Sequence, residues 1–253
     1  YKQYAEKFEY FNQIVGVFTD EPSLMEVYQN TPDTFKYSQL ATVDGFEDKF
    51  EQMHGYSVAD KYHLIFTGDS DEAKIVRVNY RETVAEILSK TYFGALREFC
   101  EANGSKSSGH CLLEESMNYH AHYYGNLMQC LREMSIPGVD GLAMKTENYL
   151  SEGWPIFMAV KYASSVATLT DKDRLVMMET CATDLPSAMA YNDEQYKQFR
   201  TTLNNIFFDG ATHINSYVAT NLFADHAKEL LTDLGRLSYM SRSAVWDGQV
   251  GVY

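Results

Sequence analysis

Three short stretches of this chain set reactive side chains beside apolar runs. "GVFTDEPSL" carries Asp20 and Glu21 directly after Val15, Val17 and Phe18, and Pro22 follows. "SGHCLLEES" ends on Glu114 and Glu115, and "RLVMMETC" carries Glu179 after Leu175 to Met178. Two shorter stretches add to these: "PGVDGLA" offers Asp140, and "THIN" offers His213 and Asn215. Paired carboxyl groups are what glycoside hydrolysis needs, one to protonate the leaving oxygen and one to activate water or attack the sugar. The acid must keep its proton near neutral pH, and burial or a neighbouring like charge favours that. An adjacent pair such as Asp20-Glu21 supplies the like charge. Side chains alternate along a strand, so only one of the two points straight into a site while the other orients it or binds a hydroxyl. The same holds for Glu114 and Glu115. His213 and Asn215, two apart, share a strand face and suit hydroxyl recognition.

Each stretch also has a plainer reading. Asp20 and Pro22 fit a helix start, with Glu26 complementing the dipole. Glu115 or Ser116 fits the cap of the next helix. Glu179 follows four apolar residues, so it sits at a buried strand's end and needs a partner. His213 also fits a hydrogen-bonded core histidine. His120 and His122 are two apart in a helical stretch and do not share a face, which disfavours a zinc pair. Phosphate-binding glycine loops and a serine nucleophile elbow are absent.

The elements that would position these residues alternate short strands with long amphipathic helices, the pattern of a parallel α/β domain. Strands are expected at 14–18, 108–115, 137–143, 174–181 and 210–217. Helices are expected at 1–13, 44–53, 71–102 (as one or two in tandem), 119–134, 155–169, 193–208 and 224–240. Asn103-Gly104 reads as a helix end. Nearly every strand stops on a polar, reactive residue, as at the active face of a (β/α)8 barrel.

The chain has 253 residues, is 45% hydrophobic and carries a formal charge of −14. That bounds it to one α/β domain or two small ones, and it argues against nucleic acid or anionic lipid as partner. No apolar run is long enough to cross a bilayer. The four cysteines, Cys100, Cys111, Cys130 and Cys181, form no CxxC pair and read as buried thiols. The chain opens without Met, already in a helical pattern. The expectation is a single partial barrel domain, 1–253, cut from a longer multidomain protein.

Four blocks together resemble the catalytic barrel of glycoside hydrolase family 106, the α-L-rhamnosidases. They are "FTDEP"; "FEDKFEQMHGYSV" with "VRVNYRETVAEILSKTYFGALREFCEANG"; "SGHCLLEES" with "HAHYYGNLMQCLREMSIPGVD"; and "KYASSVATLTDKDRLVMMETCA". The resemblance runs from about Val15 to Tyr217. It implies an α/β fold of the TIM-barrel type, present here as roughly strands four to eight, and an inverting glycosidase acting on oligo- or polysaccharide. It implies Glu21 as general acid and Glu179 or Glu115 as base. Asp20, Glu114, Asp140, His213 and Asn215 would bind substrate. Glu114 and Asn215 would hold a calcium ion, which suits oxygen ligands. The expected partners are the glycan and other domains of the same longer chain. The sequence departs from the family at Cys181-Ala182, where relatives carry an aromatic residue and a glycine. A retaining β-galactosidase-like enzyme and a non-catalytic carbohydrate-binding remnant are the alternatives.

Overall fold

The computed structural model describes residues 3, 6, 13–24, 39–141, 155–170, 173–180, 193–216 and 225–244. The chain divides into two compact units, Tyr1–Gly138 and Val139–Tyr253. Most of the expected first helix, together with Glu26, Cys181 and Ala182, lies outside the described residues, although Gln3 and Glu6 are helical.

In the first unit β1 (Gly16–Thr19) pairs in parallel with β2 (Lys106–Gly109), from Gly16 opposite Lys106 to Thr19 opposite Gly109. The connection is helical. α1 (Phe46–His54) lies between two left-handed glycines, Gly45 and Gly55. α2 (Tyr62–Phe66) precedes α3 (Asp71–Leu88). Ser70 caps α3 by accepting from the Ala73 N–H at 3.2 Å, and Asp71 and Glu72 face the helix dipole. Such a cap stabilises by about 1 kcal/mol. α3 continues through a π-helical turn, Ser89–Gly94, into α4 (Ala95–Ala102). The expected tandem helix is therefore present, with a widened turn at its joint. Phe46, Phe50, Val58, Ile65, Val76, Tyr80 and Val84 form the core on this side. Tyr80 settles its hydroxyl by donating to the Ala41 carbonyl at 2.6 Å.

After β2 come α5 (Met117–Tyr124) and α6 (Leu127–Glu133). The single helix expected over 119–134 is thus two. Gly125 interrupts it at φ +70, where a Cβ would meet the Arg81 carbonyl oxygen at 2.3 Å, so α5 and α3 approach closely only over a glycine. Asn126 then caps α6.

Two further expectations need correction. The strand expected over 108–115 stops at Gly109, whose φ of +140 lays the chain over Thr19; a Cβ there would meet the Thr19 carbonyl oxygen at 2.0 Å. Leu113 is also left-handed, at φ 60, so Glu114 and Glu115 sit in a loop and the alternation argument does not apply to them. Nor is the first strand buried. Val15 is 83% exposed and Phe18 37%, and within β1 only Thr19 is buried. A two-stranded sheet has too little surface on either side to cover both faces.

The second unit takes β3 (Gly138–Gly141) from its first boundary, then α7 (Ile156–Leu169), β4 (Met177–Thr180), α8 (Asp193–Phe208), β5 (His213–Ser216) and α9 (Ala227–Ser243). The sheet order is β3-β4-β5, and β4 and β5 are parallel. Val139, Val160, Ala163, Val176, Met178, Tyr196, Phe199, Leu203 and Ile206 belong to one core in which α7 and α8 cover the sheet. Thr212 ties β5 to β4: its hydroxyl accepts from the Val176 N–H at 2.8 Å and donates to the Val176 carbonyl at 3.0 Å.

The described residues make a mostly helical α/β structure with two small sheets. The closed eight-stranded barrel is not seen among them. No described helix is long and apolar enough to cross a membrane.

Candidate functional site

In the first unit the backbone crossing at Gly109 delivers His110 to the end of β1. The His110 N–H of the backbone donates to the Thr19 carbonyl at 3.1 Å. The ring is 2% exposed and lies against Phe18, centroids 5.6 Å apart. Its Nδ1–H faces the Cys111 carbonyl at 3.0 Å, and its Nε2 stands 3.0 Å from Asp20 Oδ1. Asp20 itself is 71% exposed. A buried imidazole therefore holds an exposed carboxylate at a strand end.

Glu114, 1% exposed, supports this histidine from below. Its Oε1 accepts from the Cys111 N–H at 2.6 Å and lies 3.7 Å from His110 Nδ1. The carboxylate closes the loop much as a capping side chain closes a turn. The Glu114 carbonyl in turn accepts from His120 Nε2 at 2.7 Å. Burial lowers the His120 pKa, with that hydrogen bond acting the other way. The Leu112 N–H donates to the Tyr124 hydroxyl, which donates onward to the Leu112 carbonyl at 3.0 Å. Burial pushes the Tyr124 hydroxyl and the Cys111 thiol far up, so both stay neutral. Cys100, Cys111 and Cys130 are buried free thiols, as expected.

Glu21 and Glu115 are placed differently. Glu21 is exposed and takes a left-handed backbone, φ 45. Glu115 is half-buried in the loop before α5. Thr19, beneath Asp20, shares a hydrogen bond of 2.9 Å with the Tyr92 hydroxyl from the π-helical turn.

In the second unit the register decides which side chains share a face. Met178 opposes Ile214, and both meet the helical core. Paired residues of a parallel ladder point the same way and neighbours alternate. Glu179, opposite Asn215, and His213, opposite Met177, therefore stand on the other face. Val139 is also in the core, so Asp140 beside it turns to that same face of β3. Glu179 is buried and Asn215 exposed. The Thr212 hydroxyl already donates to Val176, so at 2.8 Å it accepts from His213 Nδ1–H. This puts a proton on Nδ1 of His213.

The structure thus gathers Asp20 and Glu114 around His110 in the first unit. It gathers Asp140, Glu179, His213 and Asn215 on one sheet face in the second. His110 was not singled out from the sequence. The available signal was its place beside Ser108 and Gly109, where β2 stops. Its partner Asp20 lies far upstream, and nothing local links the two.

No protein-family profile matches the chain. The structure resembles that of a rhamnosidase from Novosphingobium sp. PP1Y, with a TM-score of 0.61 and 16% identity over 83% of this chain. The two share a fold. In sequence the chain is 22% identical, over 142 residues or 54% of its length, to a Formosa agariphila protein named "Putative beta-glucuronidase". It spans only 21% of the rhamnosidase chain and 11% of the Formosa protein.

Proposed function

We propose that this chain is part of a glycoside hydrolase that cleaves O-glycosidic bonds by paired carboxyl groups, with α-L-rhamnosides the first substrate to try. The observation that carries the reading lies in the second unit. Asp140, Glu179, His213 and Asn215 stand together on the face of β3-β4-β5 turned away from its helices. That is a placement a sugar-binding and acid–base surface can use: Asp140, Glu179 and Asn215 each stand one residue before the end of their strand, and His213 opens β5. The fold shared with a rhamnosidase is consistent with it.

The roles are assigned residue by residue. Glu21 donates the proton to the leaving oxygen. Glu179 activates water, and it is preferred to Glu115 because it lies on a strand among the other polar residues whereas Glu115 lies in a loop. Asp20, Asp140, His213 and Asn215 bind hydroxyls. Opposite-face attack by water makes the enzyme inverting. Calcium belongs to this proposal too: an oxygen ligand such as the Asn215 amide suits a hard cation, which would orient sugar hydroxyls.

The test is hydrolysis of aryl glycosides by the full-length protein, with and without a chelator. Release of the inverted anomer, followed by proton NMR, supports the assignment. A retained anomer overturns the inverting mechanism, and no hydrolysis of any glycoside overturns the reading as a whole.

A further inference from the structure

The end of β1 offers two adjacent carboxylates, and the structure treats them unequally. His110 stands against Asp20. His110 is fixed from several directions: by the Cys111 carbonyl at Nδ1, by the Phe18 ring, and by its own backbone bond to Thr19. Glu114 locks the Cys111 N–H, and so locks the carbonyl-bearing loop on which the imidazole depends. Nε2 then faces Asp20 Oδ1 at 3.0 Å. The imidazole proton on Nδ1 is spent on the carbonyl. The contact with Asp20 then needs a second proton, held by either Nε2 or the carboxyl group. Glu21, with a left-handed backbone and an exposed side chain, brings a carboxylate oxygen within 4.8 Å of the same imidazole.

We infer that His110 is a positioning residue that orients Asp20 at this strand end. The inference rests on the glycosidase reading for its consequence in turnover, and on the geometry alone for the pair itself. An exposed acid is normally free among rotamers, and a misplacement of about 1 Å can cost about a hundredfold in rate. Holding one oxygen of Asp20 leaves the other aimed from a fixed carbon, ready for a sugar hydroxyl or a glycosidic oxygen. Asp20 is then held ready to bind a hydroxyl, beside Glu21 as the proton donor.

Two readouts test this on the full-length protein. The first needs no substrate. Nitrogen-15 NMR of the His110 ring should show a protonated Nδ1, and the Nε2 resonance should move further in Asp20→Asn than in Glu21→Gln. An Nε2 resonance that ignores Asp20→Asn overturns the pair. The second uses an aryl glycoside that the wild type hydrolyses. Asp20→Asn and His110→Gln should each lower kcat by about tenfold to a hundredfold with little change in KM, and the double variant should be no worse than the weaker single variant. Multiplicative losses overturn the assignment. If the wild type hydrolyses nothing, the glycosidase reading fails while the NMR experiment still decides the pair.

Discussion

Asp20-Glu21 and Glu114-Glu115 are both adjacent acids that follow apolar residues, and in the sequence they look alike. The structure gives them opposite surroundings. At 20 and 21 the carboxylates emerge at the end of a two-stranded sheet, and Asp20 is 71% exposed. At 114 and 115 the chain turns through a left-handed Leu113, and Glu114 is sealed in with 1% exposure. The difference comes from the backbone. Past Gly109 the main chain leaves the sheet, and the Cys111 N–H needs an acceptor that no strand supplies. Glu114 provides it. Adjacency of two acids therefore says little by itself; a donor that must be satisfied decides which acid is structural.

If that comparison is right, the largest stability effect should come from Glu114. Glu114→Ala leaves the buried Cys111 N–H unpaired and opens space beside His110, and should cost about 3 kcal/mol in denaturant unfolding. Glu114→Gln keeps an acceptor and should cost about 1 kcal/mol. Equal losses for the two would mean that the negative charge, not the hydrogen bond, is what matters there.

A buried acid lacking such a donor sharpens the point. Asp209 pairs with Lys161 Nζ at 3.2 Å through Oδ1, but its buried Oδ2 has no hydrogen-bond partner among the described residues. Burial pushes its pKa up to about 6. The folded state therefore holds a proton that the unfolded chain, at its ordinary value near 3.8, has released. The linked stability is present below that lower value and is lost as pH rises through about 6. The expected change is about 2 kcal/mol across this window, and Asp209→Asn should flatten it. A pH-independent difference between wild type and variant would remove Asp209 from the account.

The smallest effect is expected at the exposed end of the comparison. Asp20→Asn should change the unfolding midpoint by less than about 0.5 kcal/mol, because the side chain is solvated and an amide still reaches His110. A loss as large as that of Glu114→Ala would make the two ends structurally equivalent.

Much of the framework was legible from periodicity. The helix over Asp193–Phe208 begins and ends where the pattern places it, and α1, α7 and the α3–α4 tandem follow closely. Strand alternation also put His213 and Asn215 on one face, and the register places Glu179 with them. What failed depended on contacts distant in sequence. The strand over 108–115 was cut short because Gly109 must cross Thr19, a close approach that no local pattern records. The apolar run at Ile14 to Phe18 reads as buried, yet among the described residues the sheet that receives it has two strands and leaves Val15 exposed. His110 was missed for the same reason, since its role is created by Asp20 and by the loop that Glu114 closes.

The central claim is that these strand-end carboxylates perform glycoside hydrolysis. The most direct measurement compares kcat on para-nitrophenyl α-L-rhamnoside and a panel of other aryl glycosides for the full-length protein and its Glu179→Gln variant. The account predicts turnover by the wild type and a loss of about a thousandfold or more in the variant, with the fold intact by circular dichroism. Turnover unchanged by Glu179→Gln would contradict it, as would a wild type that binds glycans and cleaves none.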